Sequence, residues 1–167
     1  MTAPGRSGKA EDREGKVGRV KVVATNRRAR RNYTVLDSYE AGLALVGSEV
    51  KSLREGRMEL KDSYGDIRHG EAYLVGAHIG PYEFARDGGH EPERERKLLL
   101  HRREIDRIAG QVAEKGLTLV PLQVYFKDGK AKVELALAKG KTTVDKRHTL
   151  RDREHQREME RAQKRRR

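Results

Sequence analysis

The sequence has no cysteine, no tryptophan, only four prolines and only 5% aromatic residues. Without cysteine there can be no disulfide, no thiolate zinc site and no cysteine nucleophile. Long apolar runs are also missing. No stretch approaches the roughly 18 residues that span a bilayer, and residues 1–16, MTAPGRSGKAEDREGK, lack the apolar segment of a secretory signal. The expected location is the cytoplasm. Chemistry-bearing patterns are scarce as well. His69, His78, His90, His101, His148 and His155 show no metal-ligand spacing. Gly88-Gly89 lacks the strand–glycine loop–helix setting of a nucleotide site, and Gly140-Lys141-Thr142 lacks the upstream glycine of a phosphate loop. Asp62, Asp66 and Glu71 are explained more simply as outward-facing strand residues than as a catalytic cluster. No catalytic residue, metal or cofactor is expected.

Charge is abundant. Charged residues make up 38% of the chain and apolar ones 35%, with a formal net charge of +12. Average globular chains are about 45–50% apolar when glycine is counted in, so the core must be small or part of the chain must lie outside it. The distribution decides between these. Residues 1–31 hold ten Lys/Arg against three Asp/Glu, and residues 141–167 hold eleven against five. The stretch between holds seventeen against eighteen. A nearly neutral body is thus flanked by two cationic arms. Such arms attract polyanions, because each cation that meets a phosphate releases condensed counterions.

The pattern along the chain is mostly β. Residues 1–19 have no apolar periodicity and are expected to be a disordered basic arm. VKVVAT (20–25) is a first strand, and NRRARRNY (26–33) reads as a basic connector. YTVLDSYEAGLALVG (33–47) is β-like, interrupted at Asp37-Ser38, and Ala41-Gly42 marks a bulge or a close backbone approach. Ser48 to Arg54 suits a short helix, with Ser48 as N-cap and Gly56 as its stop. Residues 60–80 form strands around a His69-Gly70 turn. Residues 81–96 form a long charged loop, which suggests a functional role. KLLL (97–100) is a short strand, where Leu99 fits a core role better than direct contact. A helix follows over about 102–115, with Ile105, Ile108, Ala109 and Val112 on one face and Gly116 as stop. The last hairpin pairs LTLVPLQVYF (117–126) with KAKVELALAKG (130–140), and Pro121 implies a bulge or an edge there.

These elements predict an α+β, mainly β body over 20–140, with two to three flanking short helices. Too few helices alternate with strands for a doubly wound sheet. The antiparallel oligonucleotide-binding (OB) barrel is one solution for short strands of this number. From 141 onward only Val144, Leu150 and Met159 are sizeable apolar residues. A helix this polar cannot dock on a core alone, and isolated short helices are marginal in water. The tail over 141–167 is expected to be disordered when free and helical against RNA. So few aromatics serve base-after-base stacking poorly, which points to a folded RNA read by shape and phosphates. Tyr33, Tyr39, Tyr64 and Tyr82 are either stacking groups or core.

Specific motifs then carry a resemblance. NRRARRNY (26–33), YEAGLALVGSEVKSLREG (39–56), DSYGDIRHGEAYL (62–74), HIGPYE (78–83), HEPERERKLLLHRREI (90–105), EKGLTLVPL (114–122), KVELALAKGK (132–141) and DKR (145–147) stand in the order found in SsrA-binding (SmpB) proteins. The chain resembles that family over about residues 20–160. The resemblance implies an OB barrel that binds the tRNA-like domain of tmRNA, one copy per tmRNA, and carries it to stalled ribosomes. There the tail would enter the small-subunit decoding centre and the empty mRNA channel and become helical. The nascent peptide is then tagged for degradation.

By the same resemblance, Asn26, Glu40, Leu99 and Lys132 match positions implicated in tmRNA binding or function. Arg27, Arg28, Tyr64, Lys139, Gly140 and Lys141 complete the candidate RNA-binding set. Asp145, Lys146, Arg147, Arg151, Arg153 and Arg157 form the candidate ribosome-binding tail. Lys132 can meet phosphate, Asn26 can donate and accept at base or sugar edges, and Asp145 can fix the local turn. Glu40 is unexpected on an RNA surface. It either accepts from a base amino group, holds a neighbouring Arg, or forms an ion pair at the barrel rim. The family places Tyr or His before DKR, where this chain has Val144.

Overall fold

Side-chain alternation and a few tight turns set the architecture. The computed structural model describes residues 19–165, so the arm expected over 1–19 lies outside the described residues except for Arg19. In chain order the elements are β1 (Val20–Thr25), α1 (Arg27–Asn32), β2 (Tyr33–Leu43), α2 (Gly47–Arg54), β3 (Met58–Glu59), β4 (Tyr64–Arg68), β5 (Glu71–Val75), β6 (His78–Ile79), β7 (Arg96–Leu99), α3 (Arg102–Lys115), β8 (Thr118–Lys127), β9 (Lys130–Gly140) and α4 (Thr143–Arg165). The fold is a mostly antiparallel sheet with four helices among the described residues.

Seven strands run in the order β1-β8-β4-β5-β7-β2-β9, and β9 pairs again with β8. The ladder therefore returns to β8, with β1 appended on its edge. The thinnest link is β4–β8, a single pair between Gly65 and Leu119. A Cβ on Gly65 would stand 2.5 Å from Leu119 Cδ2, so only glycine lets these strands meet. β3 and β6 form a separate small pair. Both two-residue hairpin turns, His69-Gly70 and Asp128-Gly129, use positive φ at each residue, the geometry that matches strand twist.

Two apolar clusters hold the body. The larger collects inward residues of the strands, such as Ala41, Leu74, Leu98, Val124, Val133, Leu135 and Leu137, with Leu53 of α2 and Ile108 of α3. Each large side chain buried there contributes about 1.5–3 kcal/mol. The smaller cluster lies on the other face of the β8–β9 hairpin: Val120, Leu122, Ala136 and Ala138 meet Ala29 of α1 and the ring of Tyr33.

Several expectations are corrected. The basic connector is helix α1, because Asn26 caps it and Ala29 gives it one buried contact. β2 is continuous, and its irregularity is a register shift between Val35 and Asp37. Ser48 does not cap α2; the N-cap is Val46, and the Ser48 hydroxyl bonds His90 Nδ1 at 2.9 Å instead. Leu99 is not core: Leu98 points inward and Leu99 is 55% exposed. Of the alternatives at Ala41-Gly42, close approach is observed, since a Cβ on Gly42 would lie 3.1 Å from Leu99 Cβ. A buried ion pair also stands under the charged loop. Glu49 and Arg96 are both fully buried, with Arg96 Nε 3.4 Å from Glu49 Oε2.

Candidate nucleic-acid interface

Strand register gathers residues that are far apart in sequence. Gly42 of β2 pairs with Leu99 of β7 on one side and with Lys132 of β9 on the other. Lys132 pairs with Tyr125 of β8, and Tyr125 with Val22 of β1. Paired residues share a sheet face. Leu99, Gly42, Lys132, Tyr125 and Val22 thus form one row across five strands, about 19 Å long at the usual strand spacing. The neighbours of Tyr125 and Lys132, namely Val124, Phe126 and Val133, point into the main core, so this row faces away from it. Because Gly42 has no side chain, exposed Leu99 leans across it, with its Cδ1 3.3 Å from where a Gly42 Cβ would stand.

Glu40 stands in the next row, opposite Glu134. Like charges directly opposed on a sheet are unfavourable, and Glu40 is offset by other partners. Its Oε2 accepts from the Tyr125 hydroxyl and lies 3.5 Å from Lys127 Nζ. The Tyr125 hydrogen bond is the main cause holding the Glu40 carboxyl below its ordinary range, and Lys127 and Lys132 add to it. Burial and the facing carboxylate push the Tyr125 phenol up. The neighbouring Arg envisaged for Glu40 is replaced by Tyr125 and Lys127. Glu40 is thus an orienting group for them, and Lys132 has no ion pair among the described residues.

The second part of the surface is α1. Asn26 Oδ1 accepts from Ala29 N–H at 3.2 Å, while Nδ2 donates to Pro121 O at 3.1 Å and to Leu60 O at 3.4 Å. Its backbone N–H donates to Leu122 O at 2.7 Å. The amide is therefore spent on joining β1, α1 and β8, rather than pointing outward. Arg27 and Arg28 are exposed in the first turn of α1, which holds no acidic residue. The helix dipole disfavours cations there, so local helix energetics do not account for them. Arg28 lines a groove of about 330 Å³ with Asn26, Asn32, Tyr33, Asp62 and Tyr64. Tyr64 is 45% exposed; Tyr33, Tyr39 and Tyr82 are half-buried.

The third part is the junction with the tail. Lys139 and Gly140 are exposed at the end of β9. Lys141 N–H donates to Asn32 O at 2.8 Å, and its Nζ donates to Arg30 O at 3.2 Å and to Thr149 Oγ1 at 3.1 Å. One lysine so ties α1 to α4. Asp145 closes a reciprocal cap with Thr142: its Oδ2 accepts from Thr142 Oγ1 at 2.7 Å and N–H at 3.3 Å, and its N–H donates to Thr142 Oγ1 at 3.4 Å. These bonds hold the Asp145 carboxyl below its ordinary range. Arg147, Arg151, Arg153 and Arg157 are exposed along α4, Lys146 is half-buried, and Val144 is 61% exposed. Lys146, Arg153, Arg157, Arg161 and Lys164 recur at helical spacing, as one basic stripe.

The structure therefore brings Glu40, Leu99 and Lys132 onto one face, and places Asn26, Arg28 and Tyr64 around a separate groove. Sequence reasoning missed Tyr125 and Lys127. The alternation Gln123, Tyr125, Lys127 after the Pro121 bulge was the available signal, since it sets the odd positions off the main core, although Tyr125 itself is buried on that side. Among the described residues no group of acidic or histidine side chains could hold a metal ion, and no helix is long and apolar enough to cross a membrane.

The family model described as "SmpB protein" matches residues 23–165. An "SsrA-binding protein" of Salinispora arenicola (strain CNS-205) is 60% identical over 142 residues, covering 85% of this chain and 89% of the relative. One from Sulfurihydrogenibium sp. (strain YO3AOP1) is 56% identical over 142 residues, covering 85% and 93%. One from Anaeromyxobacter sp. (strain Fw109-5) is 53% identical over 162 residues, covering 96% of each. A solved structure described as "tmRNA-SmpB: a journey to the center of the bacterial ribosome" superposes with TM-score 0.60 at 51% identity, covering 71% of this chain and 84% of the other. The chain belongs to the SmpB protein family.

Proposed function

We propose that the chain binds the tRNA-like domain of tmRNA and delivers it to stalled ribosomes, acting in the cytoplasm by binding alone, without a cofactor or a catalytic step. The observation that carries this reading is the row through Leu99, Gly42, Lys132 and Tyr125, with Glu40 fixing Tyr125 beside it. An exposed Leu99 lying over Gly42 next to an unpaired cation suits a folded RNA backbone with one sugar or base edge resting on Leu99. The return of the strand ladder to β8 supports an OB barrel as its frame. Arg27, Arg28 and Tyr64 extend the surface around the α1 groove. Asn26 acts as a positioning residue, because its polar atoms are used inside the protein.

The tail, with Lys139, Gly140 and Lys141 as junction, carries the second task. Its basic stripe, with Arg147 and Arg151 on the adjoining face, would lie against ribosomal RNA in the decoding centre and mRNA channel. Among the described residues α4 is tied to the body chiefly through Lys141 and the end of α1, so the free tail exchanges between helix and coil and is held helical on the ribosome. The test compares binding to the tRNA-like domain of tmRNA with binding to an unrelated hairpin of equal length. Preference for the former is expected; equal affinities would overturn the proposal.

A further inference from the structure

The long loop before β7 carries the most exposed large apolar side chain of the described residues, Phe84, at 76%. It stands at the tip of a turn closed by Ala85 N–H donating to Tyr82 O at 3.2 Å. The Tyr82 ring meets it edge-on, with centroids 5.7 Å apart and planes at 65°. Lys51 Nζ lies 5.3 Å from the Tyr82 centroid. These groups, with Val46, Ser48 and Arg86, line a depression of about 450 Å³. None of them belongs to the row on β7, β2, β9 and β8 or to the α1 groove.

The loop is pinned over residues 90–96. The His90 ring bridges Ser48 Oγ at 2.9 Å and Ile79 O at 3.1 Å. Buried Arg96 donates to Ala77 O at 2.7 Å, Pro92 O at 3.0 Å and Glu91 O at 3.3 Å. Arg94 takes the other oxygen of Glu49 at 2.8 Å.

We propose that this depression is a second RNA contact, in which one unpaired base stacks on the face of Phe84 and Lys51 and Arg86 meet the flanking phosphates. Lys51 and Arg86 have no ion pair among the described residues, and Asp87 is the only carboxylate in the lining. An apolar peptide seated on Phe84 would desolvate those two cations without an anion to meet them. A nucleotide supplies both the flat apolar face and the charge. A chain poor in aromatics can stack one base in this way without being a single-strand binder.

The test titrates the full-length chain with a six-nucleotide oligoadenylate and follows the Tyr and Phe ring resonances by NMR. The Phe84 and Tyr82 ring signals should move upfield and saturate. Phe84→Leu, which keeps the apolar bulk but loses the ring, should weaken the binding read at Tyr82 about tenfold. Lys51→Ala should reduce its salt dependence. The exposed position lets the amide spectrum certify that both variants are folded. Stationary rings, while β9 or α4 signals shift, would overturn the proposal. So would Phe84→Leu binding as well as the unaltered chain, since the ring would then make no stacking contact.

Discussion

Replacing Asn26 by alanine separates a residue that touches RNA from one that holds the surface together. The side chain makes three hydrogen bonds inside the protein, to Ala29 N–H, Pro121 O and Leu60 O. Losing an N-cap of this kind costs about 1 kcal/mol. The 3.1 Å bond to Pro121 O contributes about 1 kcal/mol net, and the longer one to Leu60 O contributes less. The total is about 2–3 kcal/mol, which for a chain of this size lowers the melting temperature by about 5–10 °C. Asn26→Ser retains an N-cap oxygen but reaches neither carbonyl, so it should recover roughly 1 kcal/mol of the loss. Circular dichroism melts give the stabilities, and filter binding to the tRNA-like domain gives the affinities of the same samples. The weakening of RNA binding should follow the loosening of α1 and be milder for Ser than for Ala. Asn26→Ala with an unchanged melt and a more than tenfold loss of affinity would refute the reasoning, because the amide would then be acting on RNA directly.

Other perturbations reach other parts of the account. Glu49→Leu leaves Arg96 buried without its partner and should cost about 3–5 kcal/mol, whereas combining it with Arg96→Met should cost far less than the sum of the two single changes; urea denaturation of the unaltered chain, the two single variants and the double variant checks this. The folded Asp145 carboxyl lies below its ordinary value of 3.8. Its contribution to the α4 cap is therefore complete above that pH and is lost as pH falls through the folded value. Far-UV circular dichroism should show helix lost below about pH 4, and Asp145→Asn should remove that acid-dependent part. Truncation after Gly140 should leave the body melting within a few degrees of the full chain and still binding tmRNA, yet abolish peptide tagging; normal tagging would contradict the two-part design.

How far the sequence foretold this molecule depended on whether a residue's type agreed with its burial. The β8–β9 hairpin and helix α3 were legible because Val133, Leu135 and Leu137 alternate and Ile105 and Ile108 keep helical spacing. The His69-Gly70 turn was legible because few residue pairs tolerate positive φ at both positions. Helix α1 was not, because its six residues hold one buried side chain, Ala29, and too few turns to show a period. Glu49 and Arg96 were not, because a charge on an inward face signals solvent until its buried partner is seen. Leu99 was misread because three consecutive leucines give no alternation, and only the pairing with Gly42 decides which one faces out. At the candidate site, Lys132 announced itself by charge. The role of Glu40 could not be read, since Tyr125 lies 85 residues away in sequence and reaches it only through strand register.

The central claim is that Lys132, left unpaired because Glu40 engages Tyr125 and Lys127, meets an RNA phosphate. The most direct measurement is the salt dependence of binding to the tRNA-like domain of tmRNA for the unaltered chain and for Lys132→Ala. Loss of one phosphate contact should make the log–log slope shallower by about 0.9 and weaken binding at low salt. A variant with the same slope as the parent, whatever its affinity, would contradict the account.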